Sequence, residues 1–175
     1  MDTGLMLLRV VTGLLIAAHG VQKVSPWLGG RGLDAGTEEF RRDGFRGGTV
    51  TAVLAGATQI GSGLLLAAGL VTPLAVAGAV GVMTVAVSVK WPHGLWVQND
   101  GYEYPLVLVI AAAALAFTGP GEWALDEVAG LTPWPAWSAL AAVTLGLGSG
   151  LLARLVLSSG RPGREDHGSR SWRHR

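Results

Sequence analysis

Apolar residues along the chain form five long tracts, and polar segments separate them. About 20 apolar residues in an α-helix cross the hydrocarbon core of a bilayer, and a helix satisfies its own backbone hydrogen bonds there. The pattern predicts an all-α integral membrane protein: a four-helix bundle with an additional C-terminal transmembrane helix. In chain order, the predicted helices cover residues 4–24, 49–69, 73–90, 104–118 and 135–157. The fourth tract is short, so we expect that helix to begin a few residues earlier.

The tracts divide the chain into three regions. We expect a four-helix transmembrane bundle in residues 1–131 and an extra transmembrane helix in residues 132–158, which is an appendage to a core that folds without it. Residues 159–175 are basic and poor in apolar side chains, so we expect a disordered tail.

Small residues recur at four-residue spacing in four of these helices. Such spacing lets helix backbones approach one another in a membrane, although glycine and alanine are also abundant throughout this chain. The pairs are Gly13 and Ala17, Ala57 and Gly61, Ala75 and Ala79, and Gly146 and Gly150.

Charge adds an orientation to this picture. Only 14% of residues are charged, and the lysines and arginines concentrate in the loop after the first helix, at the end of the third helix and in the tail. By the positive-inside rule this side is cytoplasmic, which puts the N-terminus outside and the C-terminus inside the cell membrane. The net charge of +1 gives no reason to expect a nucleic-acid partner. The absence of cysteine excludes iron–sulfur clusters ligated by cysteines of this chain, and thiol chemistry.

The first helix carries a polar stripe about 120° wide at 100° per residue. Ionisable groups within a membrane usually face the protein interior, so we expect the stripe to face the bundle. Arg9 is predicted to donate a hydrogen bond to Gln59 in the second helix, with help from a water or a backbone carbonyl. The alternatives are that Arg9 and Lys23 extend to the headgroups, and that His19 is an ordinary hydrogen-bonded interior residue. The stripe contains Arg9, Thr12, Gly13, Ile16, His19, Gly20 and Lys23.

A second group of candidate residues follows the third helix. We predict a functional site at the cytoplasmic end of the bundle, with His19, Glu103 and His93 as catalytic candidates. An interfacial hydrogen-bond network with an aromatic belt is the alternative. No ligand spacing predicts a metal site, and the two histidines come without the further pattern that would predict a haem. The binding candidates are Lys23, Tyr102, Tyr104, Arg9 and Gln59.

Four segments of the sequence resemble the DoxX family of small membrane proteins. They are RVVTGLLIAAHGVQKV (residues 9–24), QIGSGLLLAAGLVTPLA (59–75), NDGYEYPLVL (99–108) and GPGEWALDEV (119–128). The chain departs from the family pattern at three positions: Gln59 replaces a glutamate, Ser62 a glycine and Pro73 an arginine. The resemblance ends before the fifth helix.

The resemblance implies a four-helix membrane fold and a link to redox chemistry. Some relatives are the small subunit of a thiosulfate:quinone oxidoreductase, and others are proposed to scaffold oxidative-stress complexes. We therefore expect a membrane anchor or accessory subunit of a redox complex. No cofactor is predicted from the residues themselves, and quinone is the candidate that the resemblance offers. Its expected partners are membrane lipid, a redox protein and a second copy of the chain. The alternatives are a stand-alone quinone-interacting oxidoreductase, and a structural or chaperone-like membrane module without a catalytic role.

Overall fold

The computed structural model describes residues 2–158, and it confirms an all-α membrane bundle. The tail predicted for residues 159–175 lies outside the described residues. In this part of the chain the α-helices are α1 (Asp2–Val24), α2 (Gly32–Arg42), α3 (Thr49–Ala68), α4 (Thr72–Lys90), α5 (Glu103–Thr118), α6 (Leu125–Val128) and α7 (Ala136–Leu157).

The five predicted tracts correspond to α1, α3, α4, α5 and α7, each to within two residues at either end. Among the described residues, α1, α3, α4 and α7 are long and apolar enough to cross a membrane. α5 begins at Glu103, one residue before the predicted start, and has 16 residues. At 1.5 Å per residue it is about 24 Å long, which is slightly less than the hydrocarbon thickness.

The two ends of the bundle differ in charge. At the basic end α1, α4 and α7 finish, and Lys23, Lys90 and Arg154 lie in their last turns. The short amphipathic helix α2 covers this end, with its buried Phe40 packed against Phe45. The acidic end holds the start of α1 and the short helix α6.

α1 packs closely against α3 because glycine faces glycine. A Cβ added to Gly13 would collide with the backbone at Gly63, and a Cβ on Gly63 would collide with the backbone at Gly13. Ala75 and Ala79 are fully buried in the central core. The expectation for Ala57 and Gly61 is wrong: both are exposed, and nothing lies within 4 Å of a Cβ on Gly61. On α3 the neighbouring face, with Gly56 and Gly63, makes the contacts instead.

α7 packs along α4 through its small-residue pair. A Cβ on Gly146 would meet the side chain of Val80, and one on Gly150 would meet Thr84. The last turn of α7 is also attached to the loop before α3, where the Arg46 N–H donates to the Leu157 carbonyl at 2.6 Å. The independent folding of residues 1–131 stays a prediction, but α7 forms part of the packed bundle.

Candidate functional site

The polar stripe of α1 faces the bundle as predicted. Thr12, Gly13, Ile16 and Gly20 are buried, and Arg9 is only 3% exposed. His19 and Lys23, nearer the basic end, are partly buried.

Arg9 does not donate to Gln59, so that prediction is wrong. Its guanidinium donates instead to the backbone carbonyls of Pro120 at 2.8 Å and Trp123 at 2.9 Å. The guanidinium lies beside Gly69 at the end of α3, where an added Cβ would collide with it. Gln59 lies ten residues earlier, about 15 Å along the helix, which places it beyond hydrogen-bonding distance. The expected help from a backbone carbonyl is correct.

Asp126 is the buried carboxylate near Arg9, and the pattern of apolar residues gives no sign of it. It is fully buried, and it accepts hydrogen bonds from the Val71 N–H at 2.6 Å and the Thr72 N–H at 3.0 Å. The Thr72 hydroxyl at 2.7 Å and the Trp134 indole N–H at 2.9 Å also donate to it. Asp126 therefore caps α4 from a distant loop and joins the segment before α7 to the bundle. Its only sequence signal is its place in GPGEWALDEV.

The candidates predicted to converge at the basic end are divided among several contacts. The His19 ring meets the edge of the Tyr104 ring, with 5.0 Å between centroids. Tyr102 stacks on Trp91 at 4.8 Å. The prediction that the Glu103 carboxylate lies beside His19 and Lys23 is wrong. Glu103 instead accepts a hydrogen bond from the Val97 N–H in the loop just before it.

The carboxylate that pairs with Lys23 is Glu39 of α2, at 3.1 Å. Lys23 also lies 5.2 Å from the centre of the Phe40 ring. His93 approaches Asp100, with 3.7 Å between Nδ1 and Oδ2, and Lys90 donates a hydrogen bond to the same carboxylate. The predicted site is thus divided into separate pairs, and a catalytic role for His19, His93 or Glu103 stays a prediction.

A cavity of about 490 Å³ lies along α4, between α3 and α7, and we call it the lateral cavity. Its walls are mainly small and aliphatic side chains, contributed by all three helices. Leu54 and Thr58 of α3 and Ser149 of α7 line it and are also exposed, so the cavity is accessible from the side of the bundle. The aliphatic lining residues include Leu54, Ala55, Ala77, Val82, Val85, Ala86, Val89, Ala153 and Leu157.

Charged side chains surround the lateral cavity at the basic end. Lys23, Glu39, Lys90 and Asp100 line this rim, and they form the two ion pairs described above. The hydrogen bond from Lys90 lowers the pKa of Asp100. His93 and Asp43 also lie at the rim. Burial, together with the nearby charge of Glu39, raises the pKa of the Asp43 carboxyl.

Gln59 lines the lateral cavity near the middle of α3. Its side chain is only 3% exposed, and its Oε1 accepts no hydrogen bond from any residue that the structure describes. A buried acceptor without a donor costs about 1–3 kcal/mol, so its presence in a cavity wall points to a donor from outside the described residues.

A second, more polar pocket of about 440 Å³ lies between α2 and the end of α1. It is lined by His19 and Lys23 on one side and by Arg31, Glu38 and Arg42 on the other. Charges of both signs line it, and Glu38 is already paired with Arg42 at 3.5 Å. Within residues 2–158, no group of three or more His, Asp or Glu side chains is arranged to hold a metal ion.

The helices and the buried polar stripe define a small helical membrane protein with an intramembrane cavity. The family model for DoxX matches residues 4–92, which is half of the chain, and the protein belongs to the DoxX family. The match covers α1 to α4, whereas α7, which forms one wall of the lateral cavity, lies beyond it. No curated protein and no solved structure matches the chain.

Proposed function

We propose that this DoxX protein is the membrane subunit of a quinone-linked redox complex, in which it holds the quinone while a partner protein exchanges electrons with it. The lateral cavity carries the proposal. Its volume lies within the range of roughly 300–1,000 Å³ that is typical of small-molecule sites.

The position of the lateral cavity suits a molecule dissolved in the bilayer. Leu54 and Ala55 of α3 and Val85 of α4 provide an apolar surface, and the exposed lining residues leave a path from the lipid. A quinone supplies a two-electron redox group on an apolar body. In this proposal the chain's own part is to bind and orient that body and to keep water from it.

The partner supplies the electron-carrying groups. The chain has no cysteine, so it cannot ligate an iron–sulfur cluster through thiolates. The charged rim of the lateral cavity lies at the basic end, where α2 and the loop of residues 91–102 are also found. We place the partner at this end, which the distribution of basic residues predicts to be cytoplasmic.

Two alanines in α3 provide a matched test. Ala55 lines the lateral cavity, whereas Ala57, two residues further along, is exposed on the outer face of the helix. Phenylalanine at position 55 fills the cavity, while phenylalanine at position 57 adds the same side chain to the lipid-facing side. We expect Ala55→Phe to reduce labelling by a photoreactive quinone at least fivefold in nanodiscs, and Ala57→Phe to leave labelling unchanged.

Equal labelling of the two variants, at equal abundance in the membrane, would remove the support for a quinone in this cavity. A structural or chaperone-like module remains the competing function, because α7 and α1 show the close backbone packing that such a module also needs. That function predicts that a variant loses its co-purifying partner only as far as it loses abundance in the membrane. It also predicts that quinone has no effect on the partner's binding.

A further inference from the structure

We infer that the ligand of the lateral cavity is an uncharged, lipid-soluble molecule whose O–H or N–H group donates a hydrogen bond to Oε1 of Gln59. Among quinone-type molecules this is the reduced, hydroxyl-bearing form. The inference rests on the proposed function for the identity of the ligand, but its chemical class follows from Gln59, the neighbouring donors and the charges at the rim.

Gln59 needs a donor that none of the residues described by the structure supplies. It lies ten residues after the start of α3, about 15 Å into the membrane from the basic end. Gly20 of α1 packs directly against its Cβ, which leaves little space on that side. Oε1 is buried and unpartnered.

Three hydroxyl groups of α3 and α7 already donate elsewhere. Thr51 donates to the Arg46 carbonyl at 2.6 Å, and Ser62 donates to the Thr58 carbonyl at 2.6 Å. Ser149 of α7 donates to the Gly146 carbonyl at 3.0 Å. A hydroxyl has one proton to donate, so none of these three side chains can satisfy Gln59 without losing its present bond.

The charges at the rim argue against an anionic ligand. Its two lysines are paired with Glu39 and Asp100, and the carboxylate of Asp43 adds a third acidic group. Arg154 donates to the Asp43 backbone carbonyl at 2.8 Å and lies over the Phe45 ring. No lysine at the described rim is left to neutralise a phosphate or carboxylate headgroup, so a fatty acid or anionic phospholipid is disfavoured.

The test compares four probes in phosphatidylcholine nanodiscs: a short-chain hydroquinone kept reduced, its dimethyl ether, a long-chain alcohol, and laurate. Competition with a photoreactive quinone gives the affinity of each. We expect the hydroquinone to bind about tenfold more tightly than the ether, which corresponds to roughly one hydrogen bond. Laurate should compete least.

Two variants assign the donor preference to Gln59. Gln59→Leu removes the acceptor and should reduce the preference for hydroquinone over ether to less than twofold. Gln59→Glu retains an acceptor at the same position and should keep the preference. A loss of the preference in both variants at unchanged thermal stability would contradict the assignment to the Gln59 oxygen.

The outcomes separate this inference from the proposed function. Equal affinity for hydroquinone and ether, with quinone still bound, overturns the inference and leaves the function standing. Tight binding of a long-chain alcohol that depends on Gln59, without binding of hydroquinone, supports the inference and refutes the quinone-linked function. Stronger binding of laurate overturns the uncharged class, and failure of every probe to compete overturns both proposals.

Discussion

Asp126 provides the sharpest prediction on stability, because four donors converge on one buried carboxylate. Asp126→Ala leaves the N–H and hydroxyl of Thr72 buried without an acceptor. A single hydrogen bond to a charged group contributes about 1.5–3 kcal/mol, and such bonds in one network do not add fully. We therefore expect a loss of about 3–5 kcal/mol, in the range measured when one partner of a buried charged pair is removed.

Thermal unfolding of the purified protein in nanodiscs measures this loss. At about 2–4 °C per kcal/mol for a chain of this length, Asp126→Ala should lower the midpoint by roughly 6–20 °C. Trp134→Phe removes only the indole donor, so we expect a loss of about 1.5 kcal/mol, at the lower end of the range for one hydrogen bond to a charged group. Glu122→Ala is the matched control, because Glu122 is exposed in the same loop and its loss should change stability by less than about 0.5 kcal/mol. A midpoint for Asp126→Ala that equals that of Glu122→Ala would refute the network.

The Asp126 carboxylate also leads to a prediction for the stability of the protein at acidic pH. Burial raises the pKa of Asp126, but the hydrogen bonds from Thr72, Trp134 and Val71 outweigh burial and hold its pKa below the usual value of 3.8. A group whose pKa is lower in the folded state stabilises the protein above its unfolded pKa and loses that contribution as pH falls through the folded pKa. The stability difference between the natural protein and Asp126→Ala should therefore be constant at neutral pH and shrink below about pH 4. A difference that grows on acidification would contradict this assignment.

Three further predictions follow from the structure. A reporter fused after Arg175 should be cytoplasmic and one inserted within residues 122–131 external; the reverse would refute the orientation. Arg9→Met should lower the free energy of unfolding by about 2–3 kcal/mol, since two carbonyls lose a charged donor, and Arg9→Lys should lose less because it keeps the charge. Truncation after Leu131 should leave an inserted core that no longer binds quinone in the labelling assay, because one wall of the lateral cavity is missing; undiminished labelling would show that α7 is dispensable for the site.

The helices could be predicted from the sequence because each depends on local composition. An apolar tract long enough for the membrane has one way to satisfy its backbone, so the bounds of α1 and α3 agree with the prediction closely. The polar stripe of α1 was also predictable, since helical periodicity alone places Arg9 and Thr12 on one face.

The partners of these polar groups could not be predicted in the same way. Arg9 bonds to carbonyls 111 and 114 residues away, and Asp126 caps a helix that begins 54 residues before it. Such contacts depend on how the loops at the ends of the helices fold back, and periodicity carries no information about that. The lateral cavity could not be predicted from the sequence either, because it depends on which small residues of α4 and α7 meet.

The attachment of α7 has a consequence for the synthesis of the protein. The chain emerges from the ribosome N-terminus first, so α1 to α5 are inserted before the helix that completes the lateral cavity. Until α7 arrives, the face of α4 around Gly81 and Thr84 lacks its contacts with Gly146 and Gly150. The contact between Arg46 and Leu157 then joins the last-made helix to a loop made much earlier. Under the proposed function, ligand loading would therefore be a late event in biogenesis, and a stalled chain without α7 would lack one wall of the site.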